Sequence, residues 1–405
     1  MTERNHPQRF YPLIWAVGTS FVLLQFFLQL SSGVVIDVIM HDMNLSGLSA
    51  GLLSGMFYVI YTSLQIPAGV LCDRKNPRPI VTVCVFICAI GCVTYANSYT
   101  LPGLYVGRAL IALGSAFSFV CLTHLIREHY PLKQFGLLIG ASETISFIAA
   151  VTGIIGLGTV INHWGWREFM NTAAMFACMI AYFCWRYIPN KPLLSENTPE
   201  KQSHIMAVLT SVPLWLNGLF LGLTFLLVTV FGALWAPAFL QIKLNCTIAQ
   251  ASFIDAIFIL GIGISCPIFG YLGNRVKSRK LLIIRACIAT ALLLMMIIYL
   301  PIHDLYLMTT MMFILGLASG SYILGYTFAN ELSPPNALST TTGFTNTLAL
   351  ITTPILQPLI GYVLDASGDQ ITLEDYQQAL LILPVCILVA IVLVSCLKLP
   401  KLDTE

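Results

Sequence analysis

Charge is the scarcest commodity in this sequence. Only 9% of its 405 residues are Asp, Glu, Lys or Arg, against about 25% in an ordinary soluble domain, while 57% are hydrophobic. A soluble globular protein could not cover its surface with so few charges, and that class is excluded. No Cys-x-x-Cys pair occurs among the 12 cysteines, so neither a zinc site nor a disulfide framework is suggested. Cys84, Cys88, Cys92, Cys121, Cys178 and Cys287 lie inside apolar stretches, where a thiol behaves as a small hydrophobe. His-Glu-x-x-His and paired acids at workable spacing are also missing, so no enzyme and no cofactor are expected. His124, His129, His163 and His303 stand near segment ends without clustering, and no metal site is indicated. The polar start, Met1 to Arg9, has no good cleavage site and runs into an apolar stretch far longer than a signal-peptide core. That stretch is expected to remain as a first helix. A net charge of +2 says nothing about partners, and no nucleic-acid partner is expected.

Long hydrophobic runs are what the chain does have. A spanning helix needs about 20 apolar residues. That measure predicts twelve segments, at 11–40, 47–72, 78–97, 102–129, 134–162, 168–188, 209–241, 247–273, 280–300, 303–331, 338–366 and 376–397. Pro189 to Ser203 reads as an exposed linker. The expected organisation is an N-terminal bundle over 1–188, a cytoplasmic linker over 189–208 and a C-terminal bundle over 209–405.

Two loops punctuate the runs in the same way. Gly69-Val70-Leu71-Cys72-Asp73-Arg74-Lys75-Asn76-Pro77-Arg78 recurs 201 positions later as Gly270-Tyr271-Leu272-Gly273-Asn274-Arg275-Val276-Lys277-Ser278-Arg279. Gly69, Leu71, Arg74 and Arg78 find equals in Gly270, Leu272, Arg275 and Arg279, whereas Asp73 has become Asn274. Equivalent loops half a chain apart suggest a duplicated membrane protein, a common plan for transporters.

The basic residues set the orientation. Arg4, Arg9, Arg74, Lys75, Arg78, Arg127, Lys133, Arg186, Lys191, Lys201, Arg275, Lys277, Arg279, Lys280, Lys398 and Lys401 fall on one side. The other side and its margins hold Arg108, Arg167 and Lys243, with Arg285 inside a helix. The positive-inside rule places both termini in the cytoplasm.

Polar residues inside the runs are unevenly shared. Segments three, six, nine and twelve are nearly featureless and read as scaffold facing lipid. The other eight carry Gln25, Gln29, Asp37, Tyr58, Tyr61, Gln65, Arg108, Glu143, Asn217, Asp255, Tyr322, Tyr326 and Asn346, and read as the lining of something wet.

Twelve helices in two pseudo-symmetric halves, paired loops and every third helix apolar resemble the major facilitator superfamily over essentially the whole chain. Gly69-x-Leu71-x-Asp73-Arg74-x-x-x-Arg78 is similar to that family's signature between helices two and three, and Gly107-Arg108-Ala109-Leu110-Ile111-Ala112-Leu113-Gly114 to its helix-four motif. Gly232-Ala233-Leu234-Trp235-Ala236-Pro237-Ala238-Phe239-Leu240 and Asn330-Glu331-Leu332-Ser333-Pro334 resemble stretches of bacterial members. There are departures. Asn76 stands where glycine is usual and Pro79 where a basic residue is usual, and Gly153-Ile154-Ile155-Gly156-Leu157-Gly158 lacks the Gly-Pro of drug–proton antiporters.

The resemblance implies an all-α integral membrane protein of two six-helix bundles. It implies secondary active transport of a small polar organic solute by alternating access, preferably proton-coupled uptake. Drug or metabolite efflux by proton antiport, and a non-transporting membrane receptor, are the alternatives. It implies a monomer in a bacterial inner membrane. Asp73 is expected to latch the halves by meeting the positive N-terminal end of helix eleven, near Ser339 to Gly343. Arg74, Arg78 and the second set Gly270, Asn274, Arg275 and Arg279 would support it; a solvated loop is the bland alternative. Arg108 and Glu143 lie too deep to reach water easily. They are candidates for proton coupling, with a structural ion pair the equal alternative. Gln25, Gln29, Tyr58, Tyr61, Trp235, Tyr322, Tyr326 and Asn346 are the candidate solute contacts, against plain interhelical packing. Asp37 and Asp255 read as interfacial carboxylates near helix ends.

Overall fold

The computed structural model describes residues 11–43, 45, 47–190, 203–276, 278–365 and 372–397. Much of the expected linker and Lys277 lie outside that set, as does the side chain of Asp37. The described chain is all-α. Helices α1 (Tyr11–Met43), α2 (Gly47–Arg74) and α3 (Pro77–Ala96) come first, followed by α4 (Leu101–Ser115) and α5 (Ser118–His129), then α6 (Leu132–Trp164) and α7 (Trp166–Tyr187). After a short α8 (Ser203–Leu209) come α9 (Val212–Leu226) and α10 (Ala236–Leu244), joined by a π-helical segment, Leu227–Trp235. The rest is α11 (Ile248–Leu272), α12 (Arg279–Tyr299), α13 (Leu305–Ser319), α14 (Ile323–Leu332), α15 (Leu338–Ile351), α16 (Thr353–Asp365), α17 (Leu373–Leu380) and α18 (Ile382–Cys396). Ten helical runs are long and apolar enough to cross a membrane among the described residues. The helices over 132–164 and 166–187 occupy the places of the fifth and sixth expected segments.

Local chemistry explains the ends. Asn76 accepts from the Arg78 amide with Pro77 at the first helical position of α3, Thr100 caps α4, and Thr247 forms a capping box with Gln250 on α11. Each such cap is worth about 1 kcal/mol. Asn245, with a left-handed φ of 48°, closes α10.

Two compact units result. One holds Met1–Leu132, Ala149–Met206 and Pro334–Gly343; the other holds Lys133–Ile148, Ala207–Ser333 and Phe344–Glu405. Each thus builds in a short piece from the opposite half of the sequence. In the first unit α3 packs on α4 and α7, and α1 on α5 and α7; in the second α11 packs on α13, and α18 on α9 and α12. Large apolar side chains stand exposed on α3 (Val83, Phe86), α7 (Met175, Tyr182), α12 (Ile288, Leu292) and α18 (Leu388, Val392). In a membrane these meet acyl chains.

Several spanning runs break in the middle, and polar side chains meet the carbonyls at or near the breaks. Gln65 Nε2 donates to Ala116 O between α4 and α5, at 3.1 Å. Asn217 Nδ2 donates to Gly325 O in α14, and Gln357 Nε2 to Thr229 O in the π-helical segment, both at 2.8 Å. Gln65 and Asn217, expected as part of a wet lining, are fully buried structural donors instead. With no water in the hydrocarbon layer, a carbonyl freed from its helix must find such a partner.

Helix ends show the same economy. Arg167 donates to Ala96 O and Ser98 O at the end of α3, at 2.9 and 2.7 Å. Lys243 donates from Nζ to Ile298 O and Leu300 O at the end of α12, at 3.0 and 2.8 Å. A cation at a helix C-terminus is favoured by the helix dipole. Lys243 is 3% exposed, whereas Lys280 makes one exposed contact, to Ser395 O. Lys243→Met is therefore expected to lower stability by about 2 kcal/mol through its lost charge-assisted bonds, and Lys280→Met by less than about 0.5 kcal/mol. Thermal unfolding of both variants in detergent checks this, and equal losses would count against the capping role.

Candidate functional site

Three constellations stand out, two of them at the repeated loops. In the first unit Asp73, near the end of α2, acts as a cap supplied by another helix. Its Oδ1 accepts from the Ser339 amide at 2.8 Å, and its Oδ2 accepts from the Thr340 amide and hydroxyl, both at 2.7 Å. Both lie in the first turn of α15 (Leu338–Ile351), where amides have no intrahelical acceptor. Gly69, one turn earlier, lets the backbones touch: a Cβ there would overlap the Ser339 carbonyl. Arg78 lies 4.4 Å over the Trp185 ring, and Arg74 is exposed at the end of α2.

The second loop repeats the crossing with different chemistry. Gly270 of α11 meets Gly136 of α6, and Gly140 meets the backbone of Cys266 and Pro267. The Gly136-x-x-x-Gly140 spacing, a small-residue contact motif, is the feature of the sequence that could have pointed to this crossing and was not among the expected site residues. Asn274 donates from Nδ2 to Lys133 O at 2.7 Å. It is thus a donor to a carbonyl where Asp73 is an acceptor from amides. Arg275 lies 4.9 Å over Tyr271. Arg279 pairs with Glu331 and lies 5.2 Å over Phe328.

The third constellation is the interior of the first unit, around Arg108. Its side chain is 3% exposed. Nη1 donates to Leu28 O at 2.9 Å, and the guanidinium lies 4.7 Å over the Phe57 ring. Phe57 stacks on Tyr61 and meets Tyr58 edge-on, with centroids at 5.6 and 5.8 Å. Gln25 donates to Gln29 and accepts from Ser118, on either side of Leu28 in α1. The helix-four motif and the candidate residues of α1 and α2 are therefore brought together. Nε and Nη2 of Arg108 have no hydrogen-bond partner among the described residues. These two atoms form one edge of the guanidinium, the geometry that takes a carboxylate or nitrate through two parallel bonds.

The second unit holds the remaining candidates. Tyr322 donates to Glu143 Oε2 at 3.4 Å and accepts from Cys266 Sγ at 3.5 Å. Tyr326 donates to Asn346 Oδ1 at 2.8 Å. Glu143 is 4% exposed. Trp235 ends the π-helical segment with its ring against Gly361, and its Nε1 has no partner among the described residues. Asp255, expected near water, has a buried Oδ1 with no partner among the described residues.

Comparison with known proteins follows the same lines. The Major Facilitator Superfamily sequence profile matches residues 16–355 and 223–402. The chain is 23% identical over 376 residues to the probable galactarate/D-glucarate transporter GudP of Bacillus subtilis (strain 168), covering 82% of this chain and 81% of that protein. It is 25% identical over 302 residues to the probable nitrate/nitrite antiporter NarK1 of Thermus thermophilus, covering 69% and 65%. It is also 32% identical over 153 residues to the uncharacterized transporter BU466 of Buchnera aphidicola, a match that spans 36% of this chain and only 38% of that protein. Among solved structures, the Major Facilitator Superfamily transporter FucP in its outward conformation superposes with a TM-score of 0.70 at 16% identity, covering 96% of this chain and 100% of that one. Fold, repeated loops and sequence profile agree: the chain belongs to the Major Facilitator Superfamily and is a multi-pass membrane transporter of that type, not an enzyme.

Proposed function

We propose that this chain takes up a small organic anion of the sugar-acid class, together with protons, by alternating access. The observation that carries the anion is Arg108, a buried cation whose Nε–Nη2 edge is without a partner among the described residues. Leaving a buried charged donor unsatisfied is costly, commonly 1–3 kcal/mol or more, and a bound carboxylate relieves that cost. The names of the relatives point the same way, since galactarate, D-glucarate and nitrate are all anions. Gln29, Tyr58 and Tyr61 would meet the hydroxyls and the carbon face of such a solute. Tyr322, Tyr326, Asn346 and Trp235 are assigned to solute contact in the second unit, and Glu143 to the proton. The membrane is a bacterial inner membrane, with both termini cytoplasmic and the protein a monomer of two six-helix bundles about the linker at 189–208. Asp73, bonded to the start of α15, is the latch of one alternating state. Gly69, Arg74 and Arg78 serve it, and Gly270, Asn274, Arg275 and Arg279 form the weaker partner latch.

Ligand-induced stabilisation of purified protein tests the anion. Galactarate, D-glucarate or nitrate at a hundred times its Kd should stabilise the folded state by about 2.7 kcal/mol, and neutral sugars should not. Arg108→Lys keeps the charge but loses the fork and is expected to weaken binding at least about tenfold. Undiminished stabilisation in Arg108→Gln would sink the anion reading.

Proton coupling is checked in liposomes. Glu143→Gln should abolish accumulation driven by a pH gradient and preserve solute counterflow. If the variant still accumulates solute with wild-type dependence on the gradient, the proton is carried elsewhere. The latch has its own measurement. Asp73→Asn should leave insertion and melting temperature close to wild type, yet shift the latch equilibrium by about 2 kcal/mol, read as labelling of a single introduced cysteine at the gate. Asn274→Asp should change that labelling less.

A further inference from the structure

We infer that His124 is a second anchor of the latch, a positioning residue that ties α5 to the first turn of α15. The inference rests on the latch reading of Asp73 and goes beyond it, because nothing in the loop signature includes α5. His124 Nδ1 lies 2.7 Å from Ser339 Oγ, and Nε2 lies 3.5 Å from Glu128 Oε1, one turn along α5. With Nε2–H turned to the Glu128 carboxylate, Nδ1 is left to accept from the Ser339 hydroxyl. Ser339 is 0% exposed and is held twice: its amide donates to Asp73 and its hydroxyl meets His124. Two helices of the first half of the chain thus hold one residue of α15.

The internal repeat supplies the control. Gly69 and Gly270 are equivalent, and so are the residues they touch, Ser339 and Gly136. Counting back from that register, Thr327 of α14 stands where His124 stands in α5, and Glu331 where Glu128 stands. Thr327 Oγ1 does point at Gly136, 3.0 Å from where a Cβ would be, but glycine offers it no hydroxyl. Its Oγ1 has no hydrogen-bond partner among the described residues. The same architecture therefore occurs once with a matched histidine–serine pair and once with neither. Packing alone does not require the pair, since the second copy packs without it.

Amide hydrogen exchange of the segment around Ser339 and Thr340, in full-length protein in lipid nanodiscs, tests the anchor. His124→Leu should raise opening of this segment about five- to tenfold, the size of one net hydrogen bond. Ser339→Ala should do the same, and the double variant should be no worse than either alone, because both remove one interaction. His124→Asn carries its amide on the same carbon that bears Nδ1, and should restore exchange to within about twofold of wild type. A merely structural role would not be rescued in that way. Additive effects, or unchanged exchange in Ser339→Ala, would overturn the inference; Ser339→Ala decides alone should His124→Leu fail to fold. Asp73→Asn separates the two ideas. If it leaves exchange unchanged, the latch reading itself has failed; if it raises exchange while Ser339→Ala does not, only the second anchor has.

Discussion

Inside a bilayer, a backbone carbonyl that loses its helical partner has no water to replace it, and most of the polar chemistry in this chain answers that constraint. Spanning runs break between α4 and α5, along Leu227–Trp235, and between α15 and α16. Gln65, Gln357 and Thr352 donate to carbonyls at or beside those places, while Arg167 and Lys243 serve the ends of α3 and α12. Breaks allow a helix to change direction, and a transporter needs such places. Their cost is that nearby amides and cations are committed to backbone. What remains uncommitted becomes informative by subtraction. The Nε–Nη2 edge of Arg108, Nε1 of Trp235 and Oδ1 of Asp255 are buried with no partner among the described residues. Arg108 is the cation of the three, with a charge that an anionic solute could neutralise.

The architecture was legible in the sequence because spanning helices announce themselves by length and composition. The apolar runs, the paired loops and the featureless third, sixth, ninth and twelfth segments carry that signal. The roles of individual polar residues were less legible, for a physical reason. Helical spacing places Tyr58, Tyr61 and Gln65 on adjoining positions of α2, but it cannot say whether an amide faces a cavity or a neighbour's carbonyl. Gln65 faces Ala116 O, whereas Tyr61 belongs to the aromatic stack beneath Arg108. The π-helical segment left no mark in composition, since its residues are as apolar as those around it. Asp73 was different. A carboxylate one residue before a helix end, after a glycine that admits another backbone, has few uses other than capping a helix that crosses there.

Gly69 and Gly270 impose the same crossing, yet the helix ends they admit are met by opposite chemistry. The start of α15 offers amide hydrogens and the positive end of a dipole, so an anion suits it, and Asp73 supplies three bonds at 2.7–2.8 Å. At α6 the contact is with a carbonyl, that of Lys133, so a donor suits it and Asn274 supplies one bond at 2.7 Å. Asp at position 274 would turn an attraction into a repulsion between oxygens. The divergence of the duplicated loops is therefore a matter of which backbone group each one faces, and not simple loss of a charge.

That inequality has a consequence for cycling on the proposed reading. A transporter must visit both states, and every 1.4 kcal/mol that favours one lowers the population of the other tenfold. One charged latch worth about 2 kcal/mol leaves the open state at roughly one part in thirty, within reach of the binding energy of a small solute. Two such latches acting together would leave it near one part in a thousand, and a ligand of modest affinity could no longer repopulate it. A neutral second loop keeps the crossing and its specificity while holding the sum in a range that solute binding can reverse.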